Sequence, residues 1–118
     1  MLLVCYPKCG TCKKAEAFLK ANGIAYEYRD ISVENPTLAE LKEWQPKSGL
    51  PLKKFFNTSG KLYREGGISK KLPDMTDDEV FELLATNGML VKRPICLTDD
   101  GKVLVGFKQP EWEEAFLK

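Results

Sequence analysis

The stretch Leu2-Leu3-Val4-Cys5-Tyr6-Pro7-Lys8-Cys9-Gly10-Thr11-Cys12-Lys13-Lys14-Ala15 decides how the chain reads. The apolar run from Leu2 to Tyr6 has the composition of a buried strand and stops at a proline turn. Cys9 and Cys12 follow at the C-x-x-C spacing, and Cys12, Ala15, Phe18 and Leu19 then recur at helical intervals. A C-x-x-C between a strand and a helix is a dithiol signature. The first cysteine precedes the helix, where free backbone N–H groups and the positive end of the dipole favour a thiolate. The second lies one turn on, sharing the buried face, and is placed to attack a mixed disulfide formed on the first. The spacing therefore predicts Cys9 as the exposed nucleophile and Cys12 as the resolving thiol, with Thr11 between them as a hydrogen-bond donor at the loop.

Outward from this stretch, Asn22-Gly23 stops the helix and Ile24 to Arg29 alternates as a second strand. A crossover this short joins parallel, neighbouring strands. Thr37 with Glu40, and Thr76 with Glu79, are capping boxes that open two helices, the first ended by Pro46 and Gly49. A helical turn is expected from Pro51, and short turns between residues 61 and 75. Ile95-Cys96-Leu97 and Val103 to Phe107 flank the turn Asp99-Asp100-Gly101-Lys102 as a hairpin. A last helix starts near Pro110 and buries Trp112, Ala115 and Phe116. The order is β-α-β, a helical insertion at about 33–88, then β-β-α, all within one domain of 118 residues. This describes an α/β fold with a mixed four-stranded sheet, thioredoxin-like or glutaredoxin-like. Pro94, just before the third strand, sits where such folds carry a cis-proline beside the dithiol. Arg93 before it is expected near the sulfurs as an anion or thiolate partner. Lys53 and Lys54 add positive charge to the same rim.

Composition narrows the function classes. The 18 Lys and Arg against 17 acidic residues give a net charge of +1, which offers no general argument for direct nucleic-acid binding or an anionic membrane. No apolar run approaches a membrane span, and no export signal opens the chain, so a cytoplasmic setting is expected. There, four cysteines imply reactive thiols more than structural bridges. Cys5 and Cys96 lie inside strand patterns and read as buried structural thiols. With no histidine the chain lacks the usual general base and the Cys-His nucleophile pair. A zinc site at the C-x-x-C would need a second cysteine pair, which Cys5 and Cys96 do not form, so no metal is expected.

Three segments carry a resemblance: Tyr6 to Ala15 around the C-x-x-C, Leu52 to Gly60, and Lys92-Arg93-Pro94-Ile95. In this order they resemble the ArsC family, which contains glutaredoxin-linked arsenate reductases and Spx-type transcriptional regulators. The resemblance implies an arsenate reductase-like oxidoreductase with a redox-active, disulfide-forming centre. It makes Cys9 the nucleophile and Arg93 one of three oxyanion-holding arginines. Lys53 and Gly106 stand where the other two would fall, and lysine does not reproduce bidentate guanidinium contacts, which argues against efficient arsenate reduction. No bound cofactor is implied; glutathione, glutaredoxin or thioredoxin would act as reductant. The added Cys12 resembles the Spx-type pattern, in which a reversible disulfide controls binding to the RNA polymerase α-subunit. That gives the alternative of a redox-sensing regulator without catalysis.

Overall fold

The computed structural model describes residues 1–117. Strand β1 (Leu2–Cys5) leads to helix α1 (Gly10–Ala21) and strand β2 (Glu27–Asp30). A helical region follows: α2 (Leu38–Ser48), a 3-10 turn (Leu52–Phe55), α3 (Lys61–Glu65), α4 (Ile68–Lys71) with a 3-10 turn at Leu72–Asp74, α5 (Asp77–Thr86) and a 3-10 turn at Gly88–Leu90. Strands β3 (Ile95–Leu97) and β4 (Val103–Val105) and helix α6 (Gln109–Leu117) complete the described chain. The sheet order is β2-β1-β3-β4. β1 runs parallel to β2, with Leu2 opposite Glu27, and antiparallel to β3, with Leu3 opposite Cys96. β4 closes the hairpin with Ile95 opposite Val105. This is the thioredoxin-like α/β arrangement expected from the element order.

Alternation along β1 divides the core. Leu3 and Cys5 point to one face, where they meet Cys12, Ala15 and Leu19 of α1, Cys96 of β3 and Trp112 of α6. Val4 points to the other, where Ile95, Ile31, Leu41, Trp44, Phe55 and Leu84 bury the helical region against the sheet. Trp112 is fully buried, its indole N–H donates to Gly106 O at 3.2 Å, and Phe18, Phe107 and Phe116 pack around it. These contacts fix the β4–α6 junction against α1.

Both capping boxes form: Glu40 N–H donates to Thr37 Oγ1 at 3.1 Å and Glu79 N–H to Thr76 Oγ1 at 3.2 Å, and each glutamate side chain accepts from the threonine N–H in return. Pro46 does not end its helix. α2 continues to Ser48 and stops at Gly49 in the left-handed region. A proline this near the C-terminus removes one backbone donor, and the end is held instead by Ser48 Oγ donating to Gln45 O at 2.6 Å and by Gln45 Nε2 donating to Leu50 O at 2.7 Å. Gly88 is needed for close approach: a Cβ there would lie 2.2 Å from Ile31 O, where the last 3-10 turn crosses the end of β2.

The alternation read over Ile24 to Arg29 also takes a different form. β2 exposes Tyr28 and buries Arg29, which is 9% exposed. Its guanidinium is fully engaged. It donates to Glu40 Oε2 at 2.7 Å and Oε1 at 2.9 Å, to Glu34 O at 2.9 Å and to Asn35 O at 3.2 Å, and it lies 5.8 Å from the Trp44 ring centre. This network ties the outer strand of the sheet to the first turn of α2.

Candidate functional site

The site begins with the turn that follows β1. Pro7 and Lys8 reverse the chain so that Cys9 N–H donates to Tyr6 O at 3.0 Å. Cys9 then takes an extended conformation as the N-cap of α1, and Lys13 N–H donates to its carbonyl at 3.1 Å. No side chain caps this helix start, and its first turn holds no acidic residue. The N–H groups of the first turn and the positive dipole end are therefore available to negative charge on sulfur. The helix begins at Gly10, two residues ahead of Cys12.

The two cysteines differ in access as the spacing predicts. Cys9 is partly exposed, whereas Cys12 is 1% exposed and sits in the core against α1, β1 and β3. No disulfide is formed and all four cysteines are free thiols. The Tyr6 N–H donates to Cys12 Sγ at 3.4 Å, and Cys5 and Cys9 pack around the same sulfur. The Cys5 thiol, the Tyr6 N–H and the Cys9 thiol, with the Arg93 charge nearby, draw Cys12 below the ordinary thiol value, against the desolvation of burial. The hydrogen bond to Cys12 and burial push the Cys5 thiol strongly up, so Cys5 keeps its proton. Burial pushes Cys96 up to about 12, which keeps it a neutral core thiol. Cys9 is the sulfur of the pair with access to solvent.

Cys5 is a fully buried strand thiol, as read from the sequence, and it shares its core cluster with Cys12. Removing it takes away the first of the donors that stabilise the Cys12 thiolate. Cys5→Ala should move the ionisation of Cys12 up towards the ordinary thiol value of about 8.5. Cys5→Ser, which keeps a donor at the same place, should hold most of the lowering. Thiolate ultraviolet absorbance followed against pH reads this directly, and an unmoved midpoint in Cys5→Ala would assign Cys5 to packing alone.

Arg93 and Pro94 stand at the same end of the sheet. The Arg93–Pro94 peptide is cis. Arg93 lies over the Tyr6 ring, 5.1 Å from its centre, and donates to Val91 O at 3.4 Å, while its Nε is buried with no partner among the described residues. The cation therefore borders the turn that carries Cys9 and acts on Cys12.

Thr11 opens onto a cleft of about 440 Å³ whose lining also includes Lys53, Lys54, Lys92, Gly106 and Lys108. The structure thus brings Thr11 and Lys53 together, with Gly106, in one hollow beside the C-x-x-C loop. Lys92 and Lys108 are additions that sequence reasoning missed; their only signal is adjacency to Arg93 and to the start of α6. No group of three His, Cys, Asp or Glu placed to hold a metal occurs among the described residues. Among them, too, no helix is long and apolar enough to cross a membrane.

A model of the ArsC family matches residues 5–115. The chain is 52% identical over 109 residues to the uncharacterized protein YusI of Bacillus subtilis, covering 92% of each. It is 31% identical over 106 residues to the regulatory protein MgsR of the same organism, covering 90% of this chain and 82% of MgsR. A solved structure of an ArsC family related protein from Bacteroides fragilis superposes with a TM-score of 0.92 at 57% identity, covering 96% of this chain and 94% of that one.

Proposed function

The chain belongs to the ArsC family, and we propose that within it this protein is a thiol–disulfide oxidoreductase whose Cys9 and Cys12 alternate between dithiol and disulfide. The observation that carries this reading is the gathering of donors on buried Cys12 beside a partly exposed Cys9 at an uncapped helix start. In the first step Cys9 gives its proton to Cys12 and attacks one sulfur of a substrate disulfide. The Cys9–substrate bond forms, the substrate S–S bond breaks, and one half leaves as a thiolate. Cys12 gives that proton to the departing thiolate and then attacks the Cys9 sulfur. The Cys9–Cys12 bond forms and the second half leaves as thiolate, so the substrate gains two electrons and the protein loses two. A reductant of the glutathione, glutaredoxin or thioredoxin class restores the dithiol, as suits a chain working in the reducing cytoplasm.

Arsenate is disfavoured as substrate by the side chains themselves. Arg93 supplies a guanidinium, but the neighbouring cleft offers Lys53 as a point charge and Gly106 with no side chain. The test is turnover of hydroxyethyl disulfide, and separately of arsenate, with NADPH and either the thioredoxin or the glutathione–glutaredoxin system. Expected is disulfide turnover at least about a hundredfold above the arsenate rate, matching the loss of paired guanidinium contacts worth about 3 kcal/mol. Disulfide turnover no faster than with Cys9→Ser would remove the proposal.

The similarity to the regulatory protein MgsR favours a second reading, a redox-switched regulator without catalysis, for which the Spx-type resemblance implies the RNA polymerase α-subunit as partner. Capture of that subunit's C-terminal domain by the oxidised form and not by the reduced form, with no disulfide turnover, would select it.

A further inference from the structure

Four lysines line the cleft that opens at Thr11, and they come from three separate segments. Lys53 and Lys54 belong to the 3-10 turn, Lys92 precedes the Arg93–Pro94 peptide, and Lys108 precedes α6. Among the described residues none of the four makes an ion pair within 4.0 Å, although other lysines do: Lys42 with Asp78, Lys47 with Glu43 and Lys102 with Asp100. Glu111 is the single carboxylate in the lining. A chain of net charge +1 thus concentrates positive charge in one cleft, which Thr11 of the C-x-x-C loop also lines. Ammonium groups held in one hollow repel each other until an anion enters, and such a hollow raises the local concentration of anions.

The cleft also has an apolar side. Phe56 is buried, and Leu50, Val105 and Phe107 are half-buried along it. Its volume, about 440 Å³, lies in the range that encloses small organic ligands. Gly106 helps to keep it open. Its φ is +77°, and a Cβ there would stand 3.3 Å from Lys92 Cε. A side chain at this position would strain the backbone and press on a lysine of the wall. Flexible lysines with no guanidinium fork suit carboxylates at the ends of a short aliphatic chain better than a compact oxyanion held bidentately.

We propose that this cleft selects the substrate of the dithiol by charge, taking small disulfides that carry carboxylates and disfavouring cationic ones. The proposal rests on the oxidoreductase reading and adds the class of substrate to it. The carboxylates lie among the lysines, the methylene groups lie on Phe56 and Phe107, and the disulfide is presented past Thr11 to Cys9.

Three symmetrical disulfides test it: dithiodipropionate with two carboxylates, hydroxyethyl disulfide with no charge, and cystamine with two ammonium groups. Each rate of oxidation of the reduced protein is divided by the rate of the same disulfide with dithiothreitol, which removes intrinsic reactivity. The expected order is anionic, neutral, cationic, with the anionic-to-cationic ratio at least about 100 at low salt. In about 1 M NaCl, where the Debye length falls to about 3 Å, the ratio should approach unity. Lys54→Gln with Lys108→Gln should lower the ratio about tenfold. Equal normalised rates, or a ratio indifferent to salt and to both substitutions, overturn the charge selection and leave the oxidoreductase reading in place. No reaction with any of the three overturns both.

Discussion

Arg29→Met should lower the melting temperature by about 10 °C, through a loss of about 3 kcal/mol in a domain of this size. The cause is specific. Arg29 is 9% exposed and makes four hydrogen bonds, two to Glu40 and one each to Glu34 O and Asn35 O. Methionine fills similar volume but leaves those two carbonyls without the donor that served them, and leaves Glu40 without its counter-ion. Glu40→Gln should cost less, about 1–2 kcal/mol, because an amide oxygen at the Oε1 place still accepts from Arg29 Nη2 and from the Thr37 N–H, and only the bond from Arg29 Nη1 is lost. The pH dependence separates the ion pair from packing. The guanidinium beside Glu40 holds its carboxyl at about 2, below the usual 4.5. A folded value depressed in this way adds stability that is present above about 4.5 and is lost as the pH falls towards 2. The gap between wild type and Glu40→Gln should therefore be full at neutral pH and close across that window. Thermal melts of both proteins at a series of pH values measure it; a gap that stays constant down to pH 2 would assign the effect to shape instead of charge.

The same residue shows where sequence reading ends. The alternation from Ile24 to Arg29 identifies a strand, but at a sheet edge alternation does not say which side chain is buried. A long cation beside a helix start can enter when a capping glutamate is in reach. The capping boxes at Thr37 and Thr76 were legible because every participant lies within four residues. The dithiol turn was legible for the same reason, since strand, proline, C-x-x-C and helical stripe are continuous. The position of Arg93 beside it followed from element order, because β3 must pair with β1 to complete the sheet. What stayed hidden depends on packing between distant segments. Cys5 looks like any strand cysteine until α1 lies back over β1 and brings Cys12 onto it. The lysines of the cleft are spread from position 53 to position 108, and no local pattern marks them as neighbours. Pro46 reads as a helix stop because the cost of proline is local, whereas the Ser48 and Gln45 bonds that offset it are not part of any short motif.

Cys12→Ser should trap the reaction halfway, and Cys9→Ser should abolish it. If Cys9 attacks first, the Cys12→Ser protein treated with a small disulfide will accumulate one equivalent of a mixed disulfide on Cys9, visible as an added mass that a reducing agent removes. Its turnover with a dithiol protein reductant should fall to the uncatalysed rate wherever regeneration requires the Cys9–Cys12 bond. A small monothiol reductant should restore part of the rate, because it resolves the adduct from solvent without an internal partner. Cys9→Ser should form no adduct, since the remaining sulfur of the pair, Cys12, is 1% exposed and cannot reach a substrate. The access of the two sulfurs makes this order a strong requirement. In the proposed reaction the exposed sulfur attacks first and the buried one, which accepts from the Tyr6 N–H, attacks second. An adduct found on Cys12, or a Cys9→Ser protein that keeps turning over, would reverse the roles and require the helix start to open before reaction.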